Sequence, residues 1–251
     1  MPNTGSAERG LSLEEPYVLY PVFLNLLNTP VLVVGGGQVA ARKVASLLQA
    51  QADVTVVSPS FHPRLFRAGG RTTCGTADDK RLKHAAGGTP AVRLKLIRRK
   101  FLASDLKGKR LVFAATDDAK LNTEIAQRAK IAGIFVNVAA PPESGDLQVP
   151  ASVRRGPFCI AISTGGASAF LARAWREKLE RMIGPEWGEL ATLLEPRRKR
   201  VLVEVRNDRL RSRLLEKLGN PRWAKVIRQR GAQRTGKAMD RLIERASGAS
   251  S

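Results

Sequence analysis

The chain has 251 residues, 43% of them hydrophobic, and a formal net charge of +21. That size and composition suit a globular protein of one to three domains. The two cysteines, Cys74 and Cys159, stand far apart, which gives neither zinc-ligand spacing nor a disulfide framework and points to a reducing cytoplasm. No apolar run nears membrane-spanning length, and the N-terminus shows no signal-peptide pattern, so no membrane role is expected.

The basic excess suggests an anionic partner: nucleic acid, an acidic membrane surface or a polycarboxylate. It is concentrated near the C-terminus, where Pro196 to Ser251 hold 17 Lys and Arg against 5 Asp and Glu, +12 of the +21. Solvated helical faces explain it equally well. Nucleic acid is disfavoured, because aromatic residues make up 5% of the chain and platforms for base stacking are scarce.

Residues 1–15 read as a disordered leader. Tyr17–Leu27 is an apolar lead-in, and Asn28-Thr29-Pro30 is a turn. The central stretch is Val31–Lys43, VLVVGGGQVAARK. An apolar strand meets three glycines, and a helix over about Val39–Gln49 follows, with Val39, Ala40, Val44, Leu47 and Leu48 on one side. Read as a dinucleotide fingerprint, the small residues are Gly35, Gly37 and Ala40. Such a turn brings backbone N–H groups and a helix N-terminus to a pyrophosphate. A second strand, Asp53–Ser58, completes a βαβ unit. It ends in Ser58-Pro59-Ser60, without the acid that ordinarily holds an adenosine ribose.

From Phe61 to Pro90 the pattern weakens to a helix fragment and a surface loop or insertion. His62 and His84 fall in or beside this region and read as surface histidines, so no metal site is expected. Strands follow at Val92–Arg98, Arg110–Ala115 and Ile134–Val138, with a helix over Leu121–Ile131. Thr116 and Asp117 stand at a strand's carboxyl end, where open α/β sheets bind ligands. Asp117 or Asp118 also suits the following helix as an N-cap. Alternating strands and helices predict a parallel sheet with right-handed crossovers. Beyond it, Gln148–Arg154 and Phe158–Ser163 predict a hairpin. Thr164-Gly165-Gly166-Ala167-Ser168 then opens a helix over Ala169–Ile183, with Phe170, Leu171, Ala174 and Leu179 as its apolar face. That turn suits either an anion or an N-cap by Ser168. Helices continue from Glu186 to about Glu216, then over Pro221–Arg230 and Lys237–Ala246.

Taken together, YPVFLNL, VLVVGGGQVAARK, VTVVSPS, FAATDD, VNV, VPASVRRGPFCIAISTGGAS and LARAWREKLE occur in this order. The chain resembles the siroheme synthase dehydrogenase–chelatase family over about Tyr17 to Leu218. The resemblance implies NAD-dependent oxidation of precorrin-2 to sirohydrochlorin, a polycarboxylate tetrapyrrole substrate and a homodimer. It implies an α/β chain with a Rossmann-type NAD-binding domain over 16–139, a small α+β dimerisation and substrate region over 140–184, and a helical C-terminal region over 185–251. The methyltransferase domain fused in some members is expected to be absent. Lys and Arg along a cleft wall would pair with the substrate's carboxylates.

By the same resemblance, Gly35, Gly36, Gly37, Gln38, Val39, Ser58, Pro59, Thr116 and Asp117 are cofactor-binding positions. Asn137, Thr164, Gly165, Gly166 and Ser168 are substrate-binding positions. The family's aspartate, its general base and a residue implicated in chelation, is replaced here by Ala140. Glu143 and Asp146 lie nearby, and Asp146 matches a second acidic position of the family. Asp146 is therefore the candidate catalytic residue, and the sequence leaves ferrochelatase activity open.

Overall fold

The computed structural model describes residues 19–68, 72–75 and 94–248. The expected leader, His84 and most of the expected 70–90 loop lie outside the described residues. The chain divides into two compact units, with residues 21–149 in one and residues 150–251 in the other.

The first unit is a six-stranded parallel sheet in the order β3-β4-β2-β1-β5-β6. Its strands are β1 (Pro30–Val34), β2 (Asp53–Ser58), β3 (Thr72–Gly75), β4 (Leu94–Arg98), β5 (Leu111–Ala114) and β6 (Phe135–Val138). The β3 strand corrects the expectation of helix fragment and loop from Phe61 onward: a helix, α2 (Pro63–Ala68), is followed by a strand that pairs with β4. Four residues in a Gly- and Arg-rich setting carry no periodicity of their own, and sheet pairing decides them.

A strand covered on both faces reads as a continuous apolar run, and β1 is such a strand. Val31 and Val33 enter one core with Ala40, Ala41, Val44, Leu47 and Leu48 of α1 (Gln38–Gln49) and with Leu65 of α2. Leu32 and Val34 enter the opposite core with Ile125, Ala126 and Ala129 of α3 (Ala119–Ile131). Each of these β1 side chains is at most 2% exposed, which stabilises the sheet by about 1.5–3 kcal/mol apiece. The expected apolar face of α1 holds except at Val39, which is 39% exposed. It sits in the first turn, beyond the reach of the sheet.

The second unit opens with an antiparallel hairpin of β7 (Ala151–Arg155) and β8 (Phe158–Ile162), joined by Gly156-Pro157. Helix α4 (Ala169–Met182) packs on it. Arg155 fastens the end of α4, donating from Nε to the Ile183 carbonyl and from Nη2 to that of Glu180, each at 3.0 Å. Four helices follow: α5 (Glu186–Glu204), α6 (Asp208–Leu218), α7 (Arg222–Arg230) and α8 (Ala232–Gly248). Their core is Val201, Leu218, Trp223, Ile227, Met239 and Ile243 with their neighbours.

The expected apolar face of α4 is left uncovered in the single chain. No α4 residue is buried, and Phe170, Leu171 and Trp175 are exposed. An amphipathic pattern shows which side of a helix is apolar, and a partner is still needed to cover it.

Candidate functional site

The sheet order places β1 between β2 and β5, so the chain leaves β1 in one direction and later returns on the other side. At such a switch point the strand ends leave a crevice where ligands bind. The glycine turn fills its floor. Gly35 has φ +114°, and a Cβ there would meet the Ala115 carbonyl oxygen at 2.2 Å. A Cβ on Gly36 would meet the Ser60 carbonyl oxygen at 1.9 Å. The first two glycines therefore let three loops touch. Backbone bonds lock the contact: Gly35 donates to Val57, Ala115 to Val34, and His62 to Gly36.

Gly37 differs from both. It is the N-cap of α1, it is exposed, and a Cβ there would meet nothing within 4 Å. No side chain caps the helix, and its first turn holds no acid. The first-turn N–H groups, those of the exposed Gln38 and Val39 among them, thus carry the helix's partial positive charge without a side-chain acceptor. A pyrophosphate fits these residues, since it supplies the acceptors and the negative charge that the uncapped end lacks.

The strand-end loops around this floor are held by one residue absent from the sequence-based site, Asn122. It is 1% exposed. Its Oδ1 accepts from Thr116 N–H at 3.1 Å and from Thr116 Oγ1 at 2.7 Å. Its Nδ2 donates to the carbonyls of Thr116 at 3.0 Å and Ala140 at 2.9 Å. One amide thereby ties the end of β5 to the segment after β6. Its signal was present in the sequence: Asn122, Ile125, Ala126 and Ala129 share a helical stripe, and the stripe's one polar member is the one to question.

Of the two capping candidates, Asp118 caps α3, accepting from Lys120 and Leu121 N–H. Asp117 is exposed beside Thr116. Ser58 is 6% exposed at the end of β2, and its Oγ faces the Ser60 N–H at 3.4 Å. His62 accepts the Arg64 N–H on Nδ1.

Asn137 is 7% exposed, and both ends of its amide are engaged. Lys43 Nζ donates to its Oδ1 at 2.6 Å, and its Nδ2 donates to the Leu147 carbonyl at 2.8 Å. The Lys43 amine lies 5.3 Å from the Phe113 ring centroid. Burial, and next the charge of Arg42, hold its pKa below the ordinary lysine value.

Ala140 is exposed, with its backbone fixed by Asn122. Glu143 is exposed on the following turn. Asp146 sits at the edge of β6, where its Oδ1 accepts the Val136 N–H at 2.7 Å.

In the second unit, the Thr164–Ser168 turn is closed on itself. The Thr164 hydroxyl donates to the Ser168 carbonyl and accepts the Ser168 N–H, both at 3.1 Å. Ser168 Oγ caps α4 by accepting from Leu171 N–H. Gly165 and Gly166 are exposed at φ +63° and +92°. The N-cap that the sequence allowed at Ser168 is thus formed. Among the described residues, no three His, Cys, Asp or Glu converge as metal ligands, and no helix is long and apolar enough to cross a membrane.

Residues 22–151 match a family model described as "Putative NAD(P)-binding". Siroheme synthase of Methylobacillus flagellatus is 39% identical over 171 residues, 68% of this chain and 32% of that protein. Siroheme synthase of Methylococcus capsulatus is 38% identical over 197 residues, 78% of this chain and 37% of that protein. That of Psychromonas ingrahamii is 37% identical over 210 residues, 83% of this chain and 40% of that protein. The chain thus spans about a third to two-fifths of the length of these relatives. A solved structure titled "SirC, precorrin-2 dehydrogenase" superposes with a TM-score of 0.62 over 89% of this chain and 100% of that one. At 23% identity it shows a shared fold. The resemblance to siroheme synthases read from the motifs is borne out, as is the dinucleotide cofactor read from the glycine turn. With half of its length covered by the match, the chain belongs to this NAD(P)-binding family.

Proposed function

We propose that the chain is an NAD-dependent precorrin-2 dehydrogenase acting in the cytoplasm on the route to sirohaem. The observation that carries this is the open, uncapped N-terminus of α1 over the β1–β5 crevice, in a chain whose relatives are siroheme synthases. Bound NAD would accept a hydride at its nicotinamide. The chain's own residues would do the rest. Gly35 and Gly36 set the turn, and the N–H groups after Gly37 hold the pyrophosphate. Thr116 and Asp117 flank the nicotinamide half.

The oxidation removes two hydrogens from the tetrapyrrole: a hydride leaves one carbon and a proton goes to a base. Ala140 cannot take that proton. Asp146 is the base in this reading, with one oxygen oriented by the Val136 N–H. Loss of the family aspartate also argues against metal insertion. Thr164, Gly165, Gly166 and Ser168 would present backbone to the substrate. The exposed Phe170, Leu171 and Trp175 of α4 support a homodimer that covers them.

Ala140 favours a second reading, a homologue that binds NAD and tetrapyrrole with catalysis impaired. A positioned base typically contributes about 10²–10⁴-fold. Anaerobic NADH formation from precorrin-2 and NAD, measured for the chain and for Ala140→Asp, separates the two. Turnover by the native chain supports the dehydrogenase. Turnover only after Ala140→Asp supports the impaired homologue. No turnover in either sinks the dehydrogenase reading.

A further inference from the structure

The end of β2 lacks the carboxylate that an adenosine ribose ordinarily meets, and the described groups that stand there are cationic or neutral. From Ser58 to Arg67 the sequence is SPSFHPRLFR, with no Asp or Glu. Strand register pairs Ser58, the last residue of β2, with Arg98, the last residue of β4. The Arg98 guanidinium lies 5.4 Å from the Phe61 ring centroid and reaches the Pro59 carbonyl at 3.5 Å. These contacts lay it across the β2 end and leave most of its five N–H donors without a partner among the described residues.

Its neighbour is arranged differently. Arg99 grips Asp105 with two bonds of 2.6 and 2.8 Å, and Asp105 also accepts the Leu102 N–H. That carboxylate is therefore committed to Arg99 and to the Leu102 N–H. Among the described residues no carboxylate is bonded to Arg98, and Ser60, two residues beyond its strand partner Ser58, is exposed.

We propose that this corner is a phosphate subsite, in which Arg98 and the Ser60 hydroxyl take the 2′-phosphate of an adenosine ribose, so that the chain binds NADP as well as NAD. An NAD-selective site excludes the phosphate by placing a carboxylate against it. Among the described residues nothing supplies that repulsion, and a planar guanidinium supplies paired N–H donors of the kind that phosphate oxygens accept. The proposal rests on the dinucleotide reading of the glycine turn and on nothing in the tetrapyrrole chemistry.

The test is isothermal titration of the full chain with NAD, NADP, 5′-AMP and adenosine 2′,5′-bisphosphate, for the native protein and for Arg98→Leu and Arg98→Glu. The native chain should bind NADP within about tenfold of NAD. Arg98→Leu should weaken NADP and the bisphosphate by about tenfold or more, the scale of one charge-assisted contact. Arg98→Glu should abolish NADP binding. In both variants retained NAD binding serves as the control for folding. Native protein that binds NAD but not NADP overturns the subsite and leaves the dinucleotide reading standing. NADP binding undiminished in Arg98→Glu overturns it as well. If neither dinucleotide binds, the glycine-turn reading fails, and the subsite with it.

Discussion

Lys43 and Asn137, 94 residues apart, meet at 2.6 Å, and the Asn137 amide passes the connection on to the Leu147 carbonyl. Helix α1, which begins at the pyrophosphate turn, is thereby linked to the loop that carries Ala140, Glu143 and Asp146. Lys43→Met should leave Asn137 Oδ1 buried without a donor and cost about 1–3 kcal/mol at neutral pH. The cost should grow with pH. The amine is harder to protonate folded than unfolded, so folding releases a proton between its lowered pKa and the ordinary 10.5. Native stability from this site rises with pH through that window. Urea denaturation of both proteins from pH 7 to 10.5 checks this, and a gap that narrows with pH would contradict it.

Asn122 joins Thr116 to Ala140, and no single substitution replaces all of its bonds. Asn122→Leu leaves the Thr116 N–H and two carbonyls without their partner, at a cost of about 2–4 kcal/mol by the scale of unmet buried groups. Asn122→Asp keeps the acceptor and loses both Nδ2 donations. It should be less damaging to the Thr116 loop than to Ala140. Amide exchange at residues 116–118 and 139–142 separates the two effects: Asn122→Leu should expose both segments and Asn122→Asp chiefly the second.

The sheet and its glycine turn were legible because the signals are local. Val31–Val34 is an unbroken apolar run, and the glycines that follow fit one kind of backbone. The bonding partners of Asn137 and Asn122 were not legible. A buried amide is assigned by what surrounds it, and its partners lie as far as 94 positions away. Asn137 read as a substrate contact from resemblance, and the bonds of its amide to Lys43 and Leu147 had no signal in the sequence. The β3 strand was missed because its order comes from β4, not from its own sequence. The apolar pattern of α4 was legible, whereas a pattern alone does not say what covers it.

Glu186, 5% exposed at the start of α5, is bonded to Arg228 of α7. That bond is the largest influence lowering the Glu186 pKa. A carboxylate depressed in this way stabilises the fold above its ordinary value near 4.5 and loses the contribution as pH falls through the folded value. Arg228 is largely exposed, so Arg228→Met should cost about 1–2 kcal/mol at pH 7. Thermal unfolding from pH 7 to 3 should show the two proteins converging on the acid side. A constant gap would mean that Arg228 acts through packing alone.

The three glycines of the turn should fail in two different ways. Gly35→Ala forces a Cβ to 2.2 Å from the Ala115 oxygen at φ +114°, and Gly36→Ala forces one to 1.9 Å from the Ser60 oxygen. Neither neighbour is a flexible side-chain tip; both are backbone. These variants should lose stability and NAD binding together. At Gly37 the added carbon meets nothing within 4 Å, so Gly37→Ala should fold with an unchanged melting temperature. Gly37→Asp should fold equally well, because a carboxylate at an N-cap accepts from the first-turn N–H groups. Those are the groups the pyrophosphate needs, and the new charge also repels it. Gly37→Asp should therefore weaken NAD at least a hundredfold while keeping or raising stability, since both the competition for donors and the like charge act against binding. Melting curves and NAD titrations of the four variants check this, and Gly37→Asp binding NAD normally would remove the pyrophosphate from this turn.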